Sequence, residues 1–208
     1  IISGAGDKAF AAGTDSGQFT AFKTLQDGRD YEAQIEAVIS MIESCRVPVI
    51  AALHGAVTGG GLIIAAAAHL RLASANVKIG MPIARTLGNC LAVGNLHRLV
   101  TLFGEARVAH MILTAELLSA DQALASGFVH DILDDHETLM QRATELAQRL
   151  TQMAPLTIQS SLEGLRRLRH AIACPDDADL IKACYQSDDF AEGVAAFLEK
   201  RKPEWRGR

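Results

Sequence analysis

The sequence predicts an α/β fold built as one domain, and three observations lead to this prediction. The chain has 208 residues, of which 49% are hydrophobic, enough for a full core in a single domain. An apolar, partly β-branched run at residues 47–53 is typical of a strand covered on both faces, and the glycines at residues 59–61 then open an Ala-rich helix. Predicted strands are concentrated before Pro82, and predicted helices follow.

The first 80 residues predict alternating strands and helices. Apolar residues at helical spacing, from Tyr31 to Ile42, indicate an amphipathic helix over residues 30–45. The small apolar segment 8–15 contains a turn, and the polar stretch 16–29 predicts a mobile loop. Strands are expected at residues 1–2, 47–53, 70–73 and 77–80, and a second helix at residues 60–69.

The remainder of the chain has a mainly helical pattern. Ser119 and Gln122 match a capping box at the start of a short helix that Gly127 ends, and residues 128–133 predict one more strand. Pro155 suits the first turn of a helix. Longer helices are expected at residues 91–103, 105–114, 139–150, 155–169, 176–185 and 187–200.

Charge and cysteine content argue against several classes of function. A net charge of −4 gives no basis for binding nucleic acid or an anionic membrane. The four cysteines show neither C-x-x-C pairing nor metal-ligand spacing with histidine, which indicates a reduced, cytoplasmic protein without a metal site. No apolar run reaches the roughly 18 residues of a membrane span. Because Ile1 falls in mid-strand, we expect that an N-terminal segment is missing.

The glycine turn has the residues of an oxygen-binding corner. Glycine lets the backbone approach a ligand without a side chain in the way. A helix that begins at Gly60 directs its free N–H groups and its positive dipole end to the same point. Such a corner can hold an anion, or an oxygen that becomes one. The alternative is a tight strand-to-helix turn that binds nothing, and the glycines alone leave both open.

Three motifs lie in order along the chain: SGAGDKAFAAGTD at residues 3–15, PVIAALHGAVTGGG at 48–61 and LRLASANVKIGMP at 70–82. With shorter matches within residues 113–129, 187–193 and 197–203, they resemble the crotonase, or enoyl-CoA hydratase/isomerase, superfamily. The resemblance implies a spiral of ββα repeats over residues 1–133 and a C-terminal helical trimerisation region over residues 134–208. It also implies a homotrimer or a dimer of trimers, and an acyl-CoA thioester as the ligand. Coenzyme A is then part of the substrate, and no separate cofactor is implied.

The resemblance places an oxyanion hole at two backbone N–H groups, those of Thr14 and Gly60. A thioester carbonyl gains negative charge as an enolate or a tetrahedral species forms, and one fixed donor is typically worth about 3 kcal/mol of that stabilisation. Neither role uses a side chain, so Thr14 can stand where the family usually has alanine. The alternative for Thr14 is a simple turn residue.

The sequence departs from the family at both acids that hydratases use to activate water. By motif position these glutamates correspond to Ile63 and Ile83, and neither isoleucine side chain can hold a proton. Residues 62–103 contain no Asp or Glu at all. Both substitutions argue against ordinary addition of water to a double bond.

Other polar residues near the expected acyl pocket have both functional and structural interpretations. Cys90 could be a nucleophile or a proton donor, although a small buried residue is the more common role of a free cysteine. Asn89 could orient a carbonyl, but we expect it to cap the next helix. Arg85 could pair with an acyl carboxylate or lie on the surface. For His54 we expect a turn or hydrogen-bonding role, and for His69 an interaction with the helix C-terminus.

The resemblance also implies residues for the CoA moiety. The backbone around Ala11, Ala12, Gly13 and Asp15 would flank its adenine and pantetheine arm. Phe197 and Lys200 resemble a C-terminal pair that reaches the CoA of a neighbouring subunit, where an ammonium group suits the 3′-phosphate. The alternative for Lys200 is a solvated helix end.

Three functions follow. The first is an enoyl-CoA hydratase/isomerase-like enzyme, a lyase or isomerase of fatty acid metabolism, that stabilises an enolate with an unusual proton-transfer group. The second is a catalytically silent acyl-CoA-binding or oligomeric member of the same fold. The third is an acyl-CoA hydrolase, which would need a positioned water.

Overall fold

The structure, a computed structural model, describes residues 1–22 and 24–208 and contains two parallel β-sheets. The four-stranded sheet has the order β1 (Ile2–Ser3), β3 (Ile50–Leu53), β5 (Leu70–Ser74), β7 (Ile132–Leu133). The three-stranded sheet has the order β2 (Ala9–Ala11), β4 (Ala56–Thr58), β6 (Lys78–Gly80).

The two sheets arise from a repeated ββα unit. Successive strands enter the two sheets alternately, so that each turn of the chain adds one strand to each sheet before a helix follows. Ala51 of β3 stands in register between Ile2 of β1 and Arg71 of β5, and Val57 pairs with Ile79 in the other sheet. This arrangement confirms the predicted α/β fold.

Helices account for most of the remaining chain. A 3₁₀ helix (Ser16–Ala21) precedes α1 (Leu25–Glu43). The others are α2 (Gly60–Ala67), α3 (Ile83–Thr86), α4 (Val93–Phe103), α5 (Glu105–Thr114), α6 (Ala120–Ala125), α7 (His136–Thr151), α8 (Pro155–His170), α9 (Ala178–Tyr185) and α10 (Asp188–Leu198). Among these described helices, none combines the length and the apolar character needed to cross a membrane.

The prediction of a mobile loop at residues 16–29 is wrong for most of that segment. Ser16–Ala21 form the 3₁₀ helix, and α1 begins at Leu25, five residues before the predicted start. Thr24 and Asp27 form a capping box, in which each side chain accepts a hydrogen bond from the other residue's backbone N–H. Polar residues were therefore a sign of a helix start here. Lys23, within the predicted loop, lies outside the described residues.

Strand boundaries are the other main correction. The strand predicted at residues 128–133 is reduced to Ile132–Leu133, because Phe128 N–H donates to Ala123 O and continues the turn after α6. The short strands β2 and β4 were not predicted. The capping box of Ser119 and Gln122 at α6 is confirmed.

Small residues allow the layers to pack closely around β3. Ala51, Ala52 and Leu53 are fully buried, and α7 packs against β3. Ala52 lies in the same cluster as Leu139 of α7, whereas Ala51 and Leu53 belong to the cluster that includes the buried residues of α2. A second cluster joins the 3₁₀ helix to α9 and α10 through Phe19, Ile181, Tyr185, Phe190 and Val194. The division into a spiral core at residues 1–133 and a helical trimerisation region at residues 134–208 stays a prediction.

Candidate active site

A cavity of about 300 Å³ lies where the loop after β2 meets the glycine turn, α1 and the segment before α4. Its wall is largely hydrocarbon, and the apolar side chains include Phe19, Ile35, Ile63, Met81, Ile83 and Leu91. Polar side chains come from the loop after β2, from α1, from the end of β4 and from residues 86–95. A pocket of this kind suits an apolar ligand that is oriented by a few hydrogen bonds.

Thr14 and Gly60 are adjacent at this cavity. A Cβ atom placed on Gly60 would lie 3.2 Å from Thr14 Oγ1 and 3.9 Å from the Thr14 nitrogen. Within the described residues, neither the Thr14 N–H nor the Gly60 N–H donates to a protein acceptor. The structure thus brings together two uncommitted backbone donors, one of them at the N-terminus of α2.

The local sequence explains how these donors approach each other. Gly59 has a φ of +56°, a conformation that side-chain-bearing residues rarely adopt, and it turns the chain from β4 into α2. A Cβ on Gly61 would lie 2.1 Å from Ala11 O, so only glycine permits this approach of α2 to β2. Thr58 Oγ1 donates to Ala12 O at 2.8 Å and ties the two halves of the site together.

Ile63 and Ile83 occupy the cavity wall. Ile63 is 2% exposed, Ile83 is 8% exposed, and both line the cavity that Thr14 and Gly60 also line. The positions that the family gives to its two acids therefore do face the cavity, but they present hydrocarbon to it. Neither can activate water.

Helix α1 supplies an acid that sequence reasoning missed. Tyr31 and Glu32 both line the cavity. Tyr31 OH and Thr14 Oγ1 are 2.7 Å apart, and burial raises the Tyr31 pKa despite this hydrogen bond. The Glu32 carboxylate accepts a hydrogen bond from Tyr185 OH at 2.7 Å, and burial raises the Glu32 pKa despite it.

A signal for Glu32 was present in the sequence. Glu32 stands three residues before Ile35 and seven before Ile39, so it occupies a position on the apolar face of α1. An acid at such a position is either paired or functional.

The residues before α4 differ from expectation. Asn89 does not cap α4; Val93 N–H donates instead to Asp177 Oδ2, at 2.6 Å, from a distant part of the chain. Asn89 Oδ1 is buried at the cavity without a partner among the described residues. Cys90 also lines the cavity, but a hydrogen bond with Cys184 and burial raise the pKa of its thiol, which disfavours a thiolate nucleophile.

The residues predicted for coenzyme A are only partly at the cavity. Ala12, Gly13 and Phe197 line it, whereas Ala11 lies within β2 and does not. Asp15 caps the 3₁₀ helix by accepting a hydrogen bond from Gly17 N–H at 2.9 Å. Lys200 is exposed after the end of α10.

Three other predicted residues lie away from the cavity. Arg85 is exposed and does not line the cavity. His54 is fully buried and its Nε2 lies 3.1 Å from Gly6 O, in keeping with a hydrogen-bonding role. His69 accepts a hydrogen bond from Val49 N–H at 2.9 Å and is also hydrogen-bonded to the Glu43 backbone. Its described contacts are therefore with the approach to β3 and the end of α1, and not with the C-terminus of α2.

Comparison with known sequences identifies the family. The model of the enoyl-CoA hydratase/isomerase family matches residues 1–208, the whole chain. The chain belongs to this family. A probable enoyl-CoA hydratase of Bacillus subtilis is 34% identical over 210 residues, covering 100% of the chain and 81% of the relative. A short-chain-enoyl-CoA hydratase of Clostridium acetobutylicum is 32% identical, covering 98% and 78% respectively.

Solved structures agree with the family assignment. A methylmalonyl-CoA decarboxylase in complex with 2-nitronate-propionyl-CoA matches with a TM-score of 0.88 and 30% identity, covering 98% of this enoyl-CoA hydratase/isomerase family member and 79% of that chain. The similarity confirms the crotonase-like fold that the motifs indicated. This family member therefore keeps the fold and the glycine turn while it lacks an acid at residues 63 and 83.

Proposed function

We propose that this protein is an acyl-CoA enzyme that polarises the thioester carbonyl in an oxyanion hole formed by the Thr14 and Gly60 N–H groups. The observation that carries the proposal is the adjacency of these two uncommitted donors at an apolar cavity. An oxyanion that forms between them exchanges its hydration for fixed donors in a site of low polarity, which favours the enolate over the ground-state thioester.

The cavity wall favours an uncharged acyl group. Among the described residues that line it there is no lysine or arginine, so an acyl carboxylate would have no cationic partner. A carboxylated acyl group, such as the methylmalonyl group named for the similar decarboxylase, is therefore disfavoured. The apolar side chains suit a hydrocarbon chain.

The reaction class follows from the two isoleucines. Addition of water in this family's usual way needs a pair of acids, and residues 63 and 83 cannot supply them. Enolate formation needs only the two backbone donors and one group that moves a proton. We therefore place the protein among isomerase-type members of the family and not among two-glutamate hydratases.

The proposal extends to the residues that would hold coenzyme A and to the assembly of subunits. Ala12, Gly13 and Phe197 would contact the CoA arm, with Lys200 reaching the CoA of a neighbouring subunit of a homotrimer or dimer of trimers in the cytoplasm. Helix α8 supports assembly because it buries none of its residues and exposes Leu156, Leu165 and Leu168.

Two measurements on one preparation test this function. Binding of saturated acyl-CoA esters of short and long chain is measured by calorimetry, and conversion of 3-enoyl-CoA and 2-enoyl-CoA is followed by enoyl absorbance. We expect binding, formation of 2-enoyl-CoA from the 3-enoyl ester, and little hydration of the 2-enoyl ester.

The other outcomes separate the alternatives. Binding without turnover would indicate a silent family member, and release of free CoA thiol would indicate a hydrolase. Rapid hydration of 2-enoyl-CoA would contradict the inference from Ile63 and Ile83. If no ester binds, the assignment of an acyl-CoA ligand is wrong.

A further inference from the structure

Glu32 differs from the other buried glutamate of α1 in having no cation beside it. Arg98 of α4 forms ion pairs with Glu36 at 3.2 Å and with Glu43 at 2.7 Å, and Arg169 also pairs with Glu43. In the part of the chain that the structure describes, no ion pair involves Glu32, although it is only 8% exposed. Burial of a carboxyl group without a cation costs stability, so the presence of Glu32 at this position needs an explanation other than stability.

The groups around Glu32 are polar but not positively charged. Tyr185 OH donates to its carboxylate, and a second hydrogen bond comes from the Ala92 backbone. The titratable groups that face it are Tyr31 and Glu36 from α1, Tyr185 from α9, Asp177 before α9 and Cys90 before α4. Two fixed donors orient the carboxyl, while the neighbouring acids and burial work against its charge.

We propose that Glu32 is the catalytic residue that moves the proton in this cavity, and that it serves a 1,3-shift of a double bond in an acyl-CoA chain. The inference rests on the proposed thioester site, since Glu32 lines the cavity that Thr14 and Gly60 also line. Tyr185, which hydrogen-bonds Glu32 from a helix 153 positions away in sequence, is its positioning residue.

One carboxyl group is sufficient for both proton transfers of the proposed reaction. The Glu32 carboxylate takes a proton from C2 of a 3-enoyl thioester, the electron pair of that C–H bond forms a C1–C2 double bond, and the carbonyl oxygen takes up the negative charge. The resulting carboxylic acid returns the proton to C4. The electron pair of the C3–C4 double bond forms the C4–H bond, a C2–C3 double bond forms, and the carbonyl is restored.

One acid suits this reaction better than hydration. A 1,3-shift uses the same carboxyl first as base and then as acid, and it consumes no water. Burial of Glu32 raises its pKa, which makes the carboxylate a stronger base toward a carbon acid. Ile63 and Ile83 line the cavity and offer no polar group that could hold a water molecule for attack.

The test compares two isosteric variants of the same helix. Glu32→Gln keeps the size and an acceptor for Tyr185 OH but cannot move a proton, so we expect isomerisation kcat to fall by about 10²–10⁴-fold. The dissociation constant of a saturated acyl-CoA should change by less than about threefold, because the carboxyl acts only in proton transfer. Glu36→Gln, one turn further along α1 and paired with Arg98, should retain kcat within about twofold.

Tyr185→Phe tests positioning with a readout that packing alone would not move. The tyrosine hydrogen bond favours the ionised carboxyl, so its removal should raise the Glu32 pKa further and shift the acidic limb of the kcat profile to higher pH. Wild-type kcat itself should fall as the pH falls through the Glu32 pKa, because the first step needs the carboxylate. Glu32→Asp should restore part of the activity lost in Glu32→Gln.

The outcomes separate this inference from the proposed function. Wild-type turnover that persists in Glu32→Gln within about fivefold would overturn the role of Glu32 and leave the thioester site intact. Wild-type binding without any isomerisation would overturn the role of Glu32 and the enzyme function together. Loss of acyl-CoA binding in Glu32→Gln, with an unchanged circular dichroism spectrum, would show a binding role and would also contradict the proposal.

Discussion

Replacement of Gly60 by proline removes one backbone N–H group from the cavity. Gly60 is the first residue of α2, a position that accepts proline because its N–H has no partner within the helix. Its Cβ would lie 3.2 Å from Thr14 Oγ1, close enough that the threonine must move by a few tenths of an ångström. Gly60→Ala introduces the same contact and keeps the N–H, so it is the matched control.

The expected loss comes from the missing donor. Removal of one oxyanion-hole donor typically lowers kcat by about 10²–10³-fold, equivalent to about 2.7–4 kcal/mol of transition-state stabilisation. Because the proline ring would also occupy the place of the donor, kcat/KM should fall at least as much. The Gly60→Ala variant should lose far less, since it retains both N–H groups.

The assay is isomerisation of 3-enoyl-CoA by both variants, with thermal unfolding measured alongside. A proline compatible with the helix should leave Tm near that of Gly60→Ala, because both carry the same Cβ contact. Equal kcat/KM in the two variants, within about threefold and with both folded, would refute the assignment of Gly60 N–H as an oxyanion donor.

Three further predictions concern stability. Glu43→Gln leaves the buried Arg98 without its closest carboxylate and should lower the free energy of unfolding by about 3–5 kcal/mol in urea titrations. Glu36 is half-exposed, so Glu36→Gln should cost less than about 1 kcal/mol, and equal losses in the two variants would contradict this distinction. Because burial raises the Glu32 pKa, the folded state holds the Glu32 proton more tightly than the unfolded state does. Wild-type stability should therefore fall as the pH rises through that pKa, and the Tm advantage of Glu32→Gln over wild type should grow towards neutral pH. A Tm difference that is independent of pH would contradict this prediction. A Cβ on Gly193 would lie 2.3 Å from a backbone carbonyl oxygen, so Gly193→Ala should lower the free energy of unfolding by about 1–3 kcal/mol. Gly164 has open space around it, so Gly164→Ala should be neutral or stabilising. The reverse order of stability would show that α10 can shift to accommodate a side chain.

Local sequence signals predicted the elements whose stability is local. The glycines before α2 act through φ angles and the absence of a side chain, and the Ser119 capping box acts within four residues, so both could be recognised without knowledge of the fold. The start of α1 was missed because the Thr24–Asp27 capping box lies in a polar stretch that resembles a loop. The short strands β2 and β4 were missed because they lie beside glycines, in segments that resemble turns.

Long-range contacts account for what the sequence did not reveal at the site. The cap of α4 is Asp177, 84 positions from Val93, and no local pattern could have chosen it over Asn89. Glu32 owes its perturbed pKa to burial by the packed helices and its orientation to Tyr185, 153 positions away. Contacts between residues so far apart in the sequence leave no local pattern from which they could be predicted.

The sequence by itself determined the α/β class, the family, the glycine turn that carries Gly60, and the absence of acids at residues 63 and 83, because each depends on residues that are close in the chain or on motif order. The tertiary structure decided which groups share one cavity: Thr14 beside Gly60, the two isoleucines on its wall, and Glu32 brought in from α1. The physical reason is that burial and hydrogen-bond partnership, which set the charge and the pKa of a carboxyl, are properties of the folded neighbourhood and not of the local chain.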